Sequence, residues 1–261
     1  MSLPIFDVTH DPGPNFFGLV QRSGADPFTA GMGGALTVTH ATTCVALRFA
    51  DGVVMAGDRR ATSGNLISHR NMEKLYAADS HSGVAIAGAA GPAMEMVRLF
   101  QLQLEHYEKV EGNQLSLDGK ANQLSQMVRA NLPAAMQGMV VVPIFAGFDL
   151  DSGIGRLFQF DVTGGRYEEA NYVATGSGSL HAGTVIKIGF SANLTREAAI
   201  DMAVRALYEA ADSDSATGGP DLVRGIYPMI AAITESGFAL ASDDEVSTRF
   251  SALVGRNLSA S

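Results

Sequence analysis

The groups in this sequence that could carry covalent chemistry are hydroxyls, carboxylates and one lysine, set among glycines. Thr42-Thr43 comes first, then Gly57-Asp58-Arg59-Arg60, with Lys74 sixteen residues after Asp58 and Ile86-Ala87-Gly88 beyond it. Much further on stand Gly176-Ser177-Gly178-Ser179 and Asp214-Ser215-Ala216-Thr217-Gly218-Gly219. A threonine hydroxyl is a poor nucleophile until a base takes its proton. Taken singly, each motif has an ordinary explanation. A Thr-Thr pair at a strand start is β propensity, Ser177 suits a turn or helix cap, Lys74 suits a surface, and the acidic stretch 212–214 suits a solvated helix end. Other chemistries are excluded. There is no phosphate-binding Gly-x-x-x-x-Gly-Lys-Ser/Thr loop and no Gly-x-Gly-x-x-Gly after a strand. The 176–179 run has the wrong spacing for a Gly-x-Ser-x-Gly elbow. The six histidines include no i, i+4 pair, and with a single Cys they form no zinc pattern. They read as surface or satisfied residues, and neither metal nor cofactor is expected.

The elements that must position these groups follow from periodicity. Residues 42–50 and 53–58 read as strands joined by the Asp51-Gly52 turn, and 84–90 as a third strand. Apolar spacings of three and four predict helices over 91–112 and 118–138, with Pro133 kinking the second or starting a new turn. Lys109 and Lys120 read as solvent-facing positions on them. Strands are predicted over 140–150, 156–162 and 166–174, helices over 180–188 and 195–212, and a hairpin over 226–235 and 238–241. A closing helix over 242–254 would be capped by Ser242 with Glu245 three residues on. Paired helices between hairpin-linked strands do not suit a parallel βαβ sheet. They suit two antiparallel sheets packed together with helix pairs outside.

Composition bounds the partners. With 18 Lys+Arg, 27 Asp+Glu and no basic run, the chain is a poor nucleic-acid ligand. No window approaches about 20 uninterrupted apolar residues, so no membrane span is predicted. The single Cys44 cannot form an internal disulfide, and the first basic residue is Arg22, so no secretory signal is read. A cytoplasmic location is expected. Residues 1–41 hold four of the nine prolines and no clear period, which reads as an irregular leader or a flexible tail.

In order and spacing, the segments 42–47, 57–62, Glu73-Lys74, Ala87-Gly88, 176–179 and 214–219 resemble a catalytic 20S proteasome β subunit of the actinobacterial type. Residues 104–109 and 218–225 are similar to that group as well. The resemblance implies an α+β fold, the four-layer αββα sandwich of N-terminal-nucleophile hydrolases. It implies that 1–41 is a propeptide removed by self-cleavage of the Ala41–Thr42 bond, leaving 42–261 as the peptidase domain. The chemistry is consistent. An internal Thr42 has an amide nitrogen, whereas a free α-amine has a pKa near 8 and can act as its base. By the same resemblance Lys74 lies beside Thr42, Asp58 pairs with Lys74, and Ser177, Asp214 and Thr217 surround the nucleophile. Gly88 would offer its N–H to the oxyanion, its missing Cβ letting substrate approach. Substrate would add as an extended strand near Thr62, Gly88 and Ala90, with Ala61, Met72, Ile86, Ala90 and Met94 lining an apolar pocket. Arg60 reads as a brace.

The implied activity is threonine-type endopeptidase cleavage of unfolded polypeptides after apolar residues. The implied partners are α-type subunits, other β subunits in heptameric rings stacked α7β7β7α7, and a ring ATPase acting through the α ring. Neither nucleic acid nor membrane is expected as a partner. Two alternatives remain from sequence: a non-catalytic β subunit that only builds the ring, and the simpler six-membered-ring bacterial relative. The family's usual Gly before the nucleophile is replaced here by Ala41.

Overall fold

The computed structural model describes residues 42–64 and 66–260. The leader, including Ala41, lies outside the described residues. The described residues open with the predicted hairpin, β1 (Thr43–Phe49) and β2 (Gly52–Gly57). A short pair follows, β3 (Ala61–Ser63) and β4 (Leu66–His69), then β5 (Leu75–Asp79) and β6 (Ser82–Ala85). Helices α1 (Ala90–Glu111), α2 (Leu117–Ala130) and α3 (Leu132–Ala135) come next. Strands β7 (Ile144–Asp149), β8 (Ile154–Phe160), β9 (Arg166–Glu169) and β10 (Tyr172–Gly176) precede α4 (Ser179–Gly189) and α5 (Arg196–Ser213). The hairpin β11 (Met229–Thr234) and β12 (Gly237–Leu240) and the helix α6 (Asp243–Ala260) complete it.

The strands form two five-stranded antiparallel sheets, ordered β10-β1-β2-β11-β12 and β5-β6-β7-β8-β9, with β3-β4 apart. Side chains on a strand alternate between faces. In β1, Val45, Leu47 and Phe49 meet α4, α5 and α6, while Cys44 and Ala46 turn to the second sheet. In that sheet Val84, Phe145 and Phe158 meet α1 and α2, while Ala85, Ile144 and Leu157 turn inward. Three apolar interfaces therefore separate four layers, helix, sheet, sheet, helix, as the α+β sandwich requires. Strands buried on both faces carry near-continuous apolar runs, which is why Val53–Ala56 is entirely buried.

Several elements differ in detail from the reading of periodicity. The third strand ends at Ala85, because Gly88 has a φ of +110° and Ala90 already opens α1. The single strand expected over 166–174 is two strands in different sheets: β9 pairs β8, and after Ala170-Asn171 β10 pairs β1. Of the two outcomes expected of Pro133, it starts a new turn, α3. Lys120 is not solvent-facing: it is buried on the Ala121–Leu124 face of α2, its Nζ 2.6 Å from Asp79 Oδ2. Lys109 is exposed beside Glu105. At α6, the Glu245 N–H donates to Ser242 Oγ, but the Glu245 carboxylate turns to Arg196 and Arg249. No helix among the described residues is long and apolar enough to cross a membrane.

Candidate active site

Thr42 stands at the head of β1, buried, with its carbonyl accepting from the Ser177 N–H at 3.0 Å. Its hydroxyl has no hydrogen-bond partner among the described residues. On one side lies Asp58, fully buried where β2 ends. Its Oδ1 accepts from Lys74 Nζ at 2.6 Å and from the Thr43 N–H at 2.9 Å. Its Oδ2 accepts from the Arg60 N–H at 2.9 Å and the Gly218 N–H at 2.8 Å. Four donors thus converge on the two oxygens of this buried carboxylate, so that neither it nor the buried lysine is left without a partner. Lys74 Nζ also donates to the Arg60 carbonyl at 2.6 Å. Two of its three ammonium protons are thereby used, and the third has no partner among the described residues.

On the other side Asp214 caps the end of α5. Its Oδ2 accepts from Ser177 Oγ at 2.5 Å and Thr217 Oγ1 at 2.6 Å. Burial pushes this carboxyl up, but those hydroxyls and the Ala216 and Thr217 N–H groups outweigh burial and hold it below the ordinary carboxylate range. Thr217 Oγ1 also touches Thr43 Oγ1 at 2.5 Å. Arg60 braces this segment through the Ser215 and Thr217 carbonyls. Gly176, at a φ of +96°, is obligatory here, since a Cβ would fall 1.6 Å from the Thr42 carbonyl oxygen.

Gly88 has a structural requirement that the sequence reading did not foresee. A Cβ there would lie 2.1 Å from the Val140 carbonyl oxygen. The flanking bonds, Ala89 N–H to Val140 O and Val142 N–H to Ala87 O, make Gly88 and Val141 a non-hydrogen-bonded pair. The Gly88 N–H therefore points away from that pairing, and it has no acceptor among the described residues.

The six expected substrate-binding residues, five of them for the pocket, are brought together only in part. Ile86 is buried in the core under α1, and Met72 and Met94 pack on that same cluster. Ala61 and Ala90 are half-buried and lie outside it. Thr62 is buried, and its hydroxyl has no partner among the described residues. Several grooves lie elsewhere, of about 680 Å³ between α4 and α5 by Ile188 and Met202, about 620 Å³ between β10 and α4 by Asn171 and Leu180, and about 590 Å³ along α1 by Leu102 and Val110.

With this geometry in place, comparison with known proteins is informative. Residues 38–223 match the family described as Proteasome subunit. The chain belongs to the proteasome family. It is 58% identical over 245 residues to "Proteasome subunit beta" of Acidimicrobium ferrooxidans, covering 93% of this chain and 90% of that one. It is 56% identical over 225 residues to "Proteasome subunit beta" of Streptomyces griseus subsp. griseus, covering 86% and 80%. Within this proteasome fold, two contributors escaped the sequence reading, the Thr43 hydroxyl and the Gly178 N–H that donates to it at 2.9 Å. Their only signal was adjacency to Thr42 and Ser177. Cys44, next along β1, is inert: burial pushes its thiol up to about 12 despite the Lys74 charge. No group of three or more His, Cys, Asp or Glu among the described residues could hold a metal.

Proposed function

We propose that this chain is the catalytic β subunit of a 20S-type core particle, a threonine endopeptidase whose nucleophile is Thr42. The observation that carries the reading is Thr42 itself: a buried residue with an uncommitted hydroxyl, flanked by the Asp58–Lys74 pair and by the Ser177–Asp214–Thr217 cluster. Residues 1–41 act as a propeptide. While they are attached, residue 42 has an amide nitrogen and no base. Self-cleavage of the 41/42 bond creates an α-amine with a pKa near 8, able to accept the hydroxyl proton. The Lys74 charge favours the alkoxide. Thr42 Oγ attacks a peptide carbonyl, the Gly88 N–H receives the oxyanion, and an ester forms as the amine leaves. Water then releases the acid and restores the hydroxyl.

Substrate adds as a strand. Among the described residues β3 pairs with β4 alone, which leaves its other edge for an extended peptide, and the Gly88 N–H has no acceptor there. The apolar Met72, Ile86 and Met94 favour an apolar residue before the cut, since a desolvated charge there would be unpaired. The partners in this reading are α-type subunits and further β copies in stacked heptameric rings, with a ring ATPase feeding unfolded chains through the α ring in the cytoplasm. The deciding experiment is the intact mass of the chain after assembly with its α partner, alongside fluorogenic peptide hydrolysis. Loss of residues 1–41 with turnover, and neither in Thr42→Ala, is expected. Cleavage of the 41/42 bond or turnover in Thr42→Ala particles would refute the assignment, and an assembled wild-type particle without turnover would make this a ring-building subunit.

A further inference from the structure

We propose that Thr43 is a positioning residue for the reaction, acting through its side-chain hydroxyl; the inference rests on Thr42 being the nucleophile. Proton bookkeeping fixes the direction of a chain of hydrogen bonds. Thr217 has one hydroxyl proton, and it goes to Asp214 Oδ2 at 2.6 Å. At the 2.5 Å contact between the two threonine hydroxyls, Thr43 must therefore be the donor and Thr217 the acceptor. Thr43 Oγ1 in turn accepts from the Gly178 N–H at 2.9 Å. The sequence is Gly178 N–H to Thr43, Thr43 to Thr217, Thr217 to Asp214, with every donor used once. Such a chain strengthens each of its members.

The same residue reaches the opposite carboxylate through its backbone, since its N–H donates to Asp58 Oδ1. Thr43 is thus the residue at which the Asp58–Lys74 pair and the Ser177–Asp214–Thr217 cluster are tied together, one position from the nucleophile. Ser177 completes the circuit, with its N–H on the Thr42 carbonyl and its hydroxyl on Asp214. Thr43 and Thr217 are both fully buried. No water can replace a lost hydroxyl there: even a Cβ on Gly178 would lie 2.5 Å from Thr43 Oγ1 and 2.6 Å from Thr217 Oγ1. Without the hydroxyl, the 176–178 turn and the 214–217 segment lose their side-chain tie to the head of β1, and only bonds to its backbone and to Asp58 hold them there. Thr42 Oγ then shifts relative to its base, and a misplacement of about 1 Å costs as much as roughly 100-fold in rate.

The test is a series at residue 43, in chains assembled with the α partner and confirmed by mass to begin at Thr42. Thr43→Val keeps the volume and removes the hydroxyl; Thr43→Ser removes a methyl and keeps the hydroxyl; Thr43→Cys keeps the size with a weak donor. A packing role ranks Val above Ser. The proposal ranks kcat as Ser above Cys above Val, with Val at least tenfold below wild type, Ser within threefold of it, and KM within twofold throughout. If Thr43→Val fails to assemble, the Ser and Cys variants decide the order. Thr43→Val at wild-type kcat, Ser as slow as Val, or a loss confined to KM would each overturn the role of Thr43 and leave the nucleophile assignment standing. Turnover by a parallel Thr42→Ala particle would instead overturn both.

Discussion

Asp58 and Lys74 form one ion pair, yet removing either partner should have different consequences. Lys74→Met takes away one donor to Asp58, whose carboxylate keeps the N–H groups of Thr43, Arg60 and Gly218. It is still a buried charge without its cation, so the cost belongs at the low end of the range for a broken buried pair, about 3 kcal/mol. Asp58→Ala leaves the Lys74 ammonium with only the Arg60 carbonyl and strands those three N–H groups, in a region where both side chains are fully buried. Adding about 1 kcal/mol for each stranded donor gives roughly 6 kcal/mol. That approaches the whole stability of a domain, which is about 5–15 kcal/mol. At about 2–4 °C per kcal/mol for a chain of this size, Lys74→Met should melt roughly 6–12 °C low and Asp58→Ala about twice as far. Thermal unfolding of the unassembled β chain, followed by circular dichroism, measures both. In assembled particles Lys74→Met should be folded but without turnover or self-processing. Equal melting temperatures for the two variants, or the reverse order, would show that the backbone donors on Asp58 contribute little and would refute this accounting.

Lys120→Ala, which strips Asp79 Oδ2 of a buried partner, should destabilise the chain by about 3 kcal/mol, whereas Lys109→Ala on the exposed face should leave melting and turnover unchanged; parallel thermal melts check both. Ala41→Gly should speed loss of the propeptide about tenfold, because a Cβ costs roughly 1–2 kcal/mol if residue 41 must take positive φ in the transition state, and should leave the mature enzyme unchanged. Time-resolved mass spectrometry of assembling particles measures this, and equal rates would show that Ala41 needs no such conformation. Stability should also fall in acid. Hydrogen bonds from Arg156 hold Asp118 and Glu168 below the ordinary carboxylate range. A depressed folded-state pKa contributes stability above the unfolded value near 4 and loses it as pH falls through the folded value. Urea midpoints should therefore drop below about pH 4, and Arg156→Met should flatten that drop.

The β1–β2 hairpin and the long helices were legible because each advertises itself locally, by Asp51-Gly52 or by apolar residues three and four apart. The strands β3 and β4 were not. β4 is exposed at all four positions, so it carries no alternation. The break between β9 and β10 was hidden for a different reason: both halves are good strand sequence, and only the pairing of Glu169 with Leu157 and of Tyr172 with Leu47 separates the sheets. Lys120 could have been read correctly. It lies three residues after Leu117 and beside Ala121, on the apolar stripe that continues to Leu124 and Val128, so a buried ion pair was the available inference.

The site divides along a similar line. Asp58, Lys74, Ser177, Asp214 and Thr217 were singled out through the likeness of whole motifs, and the structure joins them into two contact clusters near the head of β1. The Thr43 hydroxyl was not, since a threonine in a strand is explained by propensity before any role is sought. Its role depends on contacts with residues 135 and 174 positions away, which periodicity cannot express. With Thr42 as the proposed nucleophile, the arrangement also accounts for how such a group can be held without being satisfied. A hydroxyl locked in strong hydrogen bonds would have to break them to react. Here the restraint falls on the Thr42 carbonyl through Ser177 and on both ends of Thr43, while the Thr42 hydroxyl itself has no partner among the described residues. Its position is set by its neighbours, and its reactivity is left to the amine that cleavage would expose.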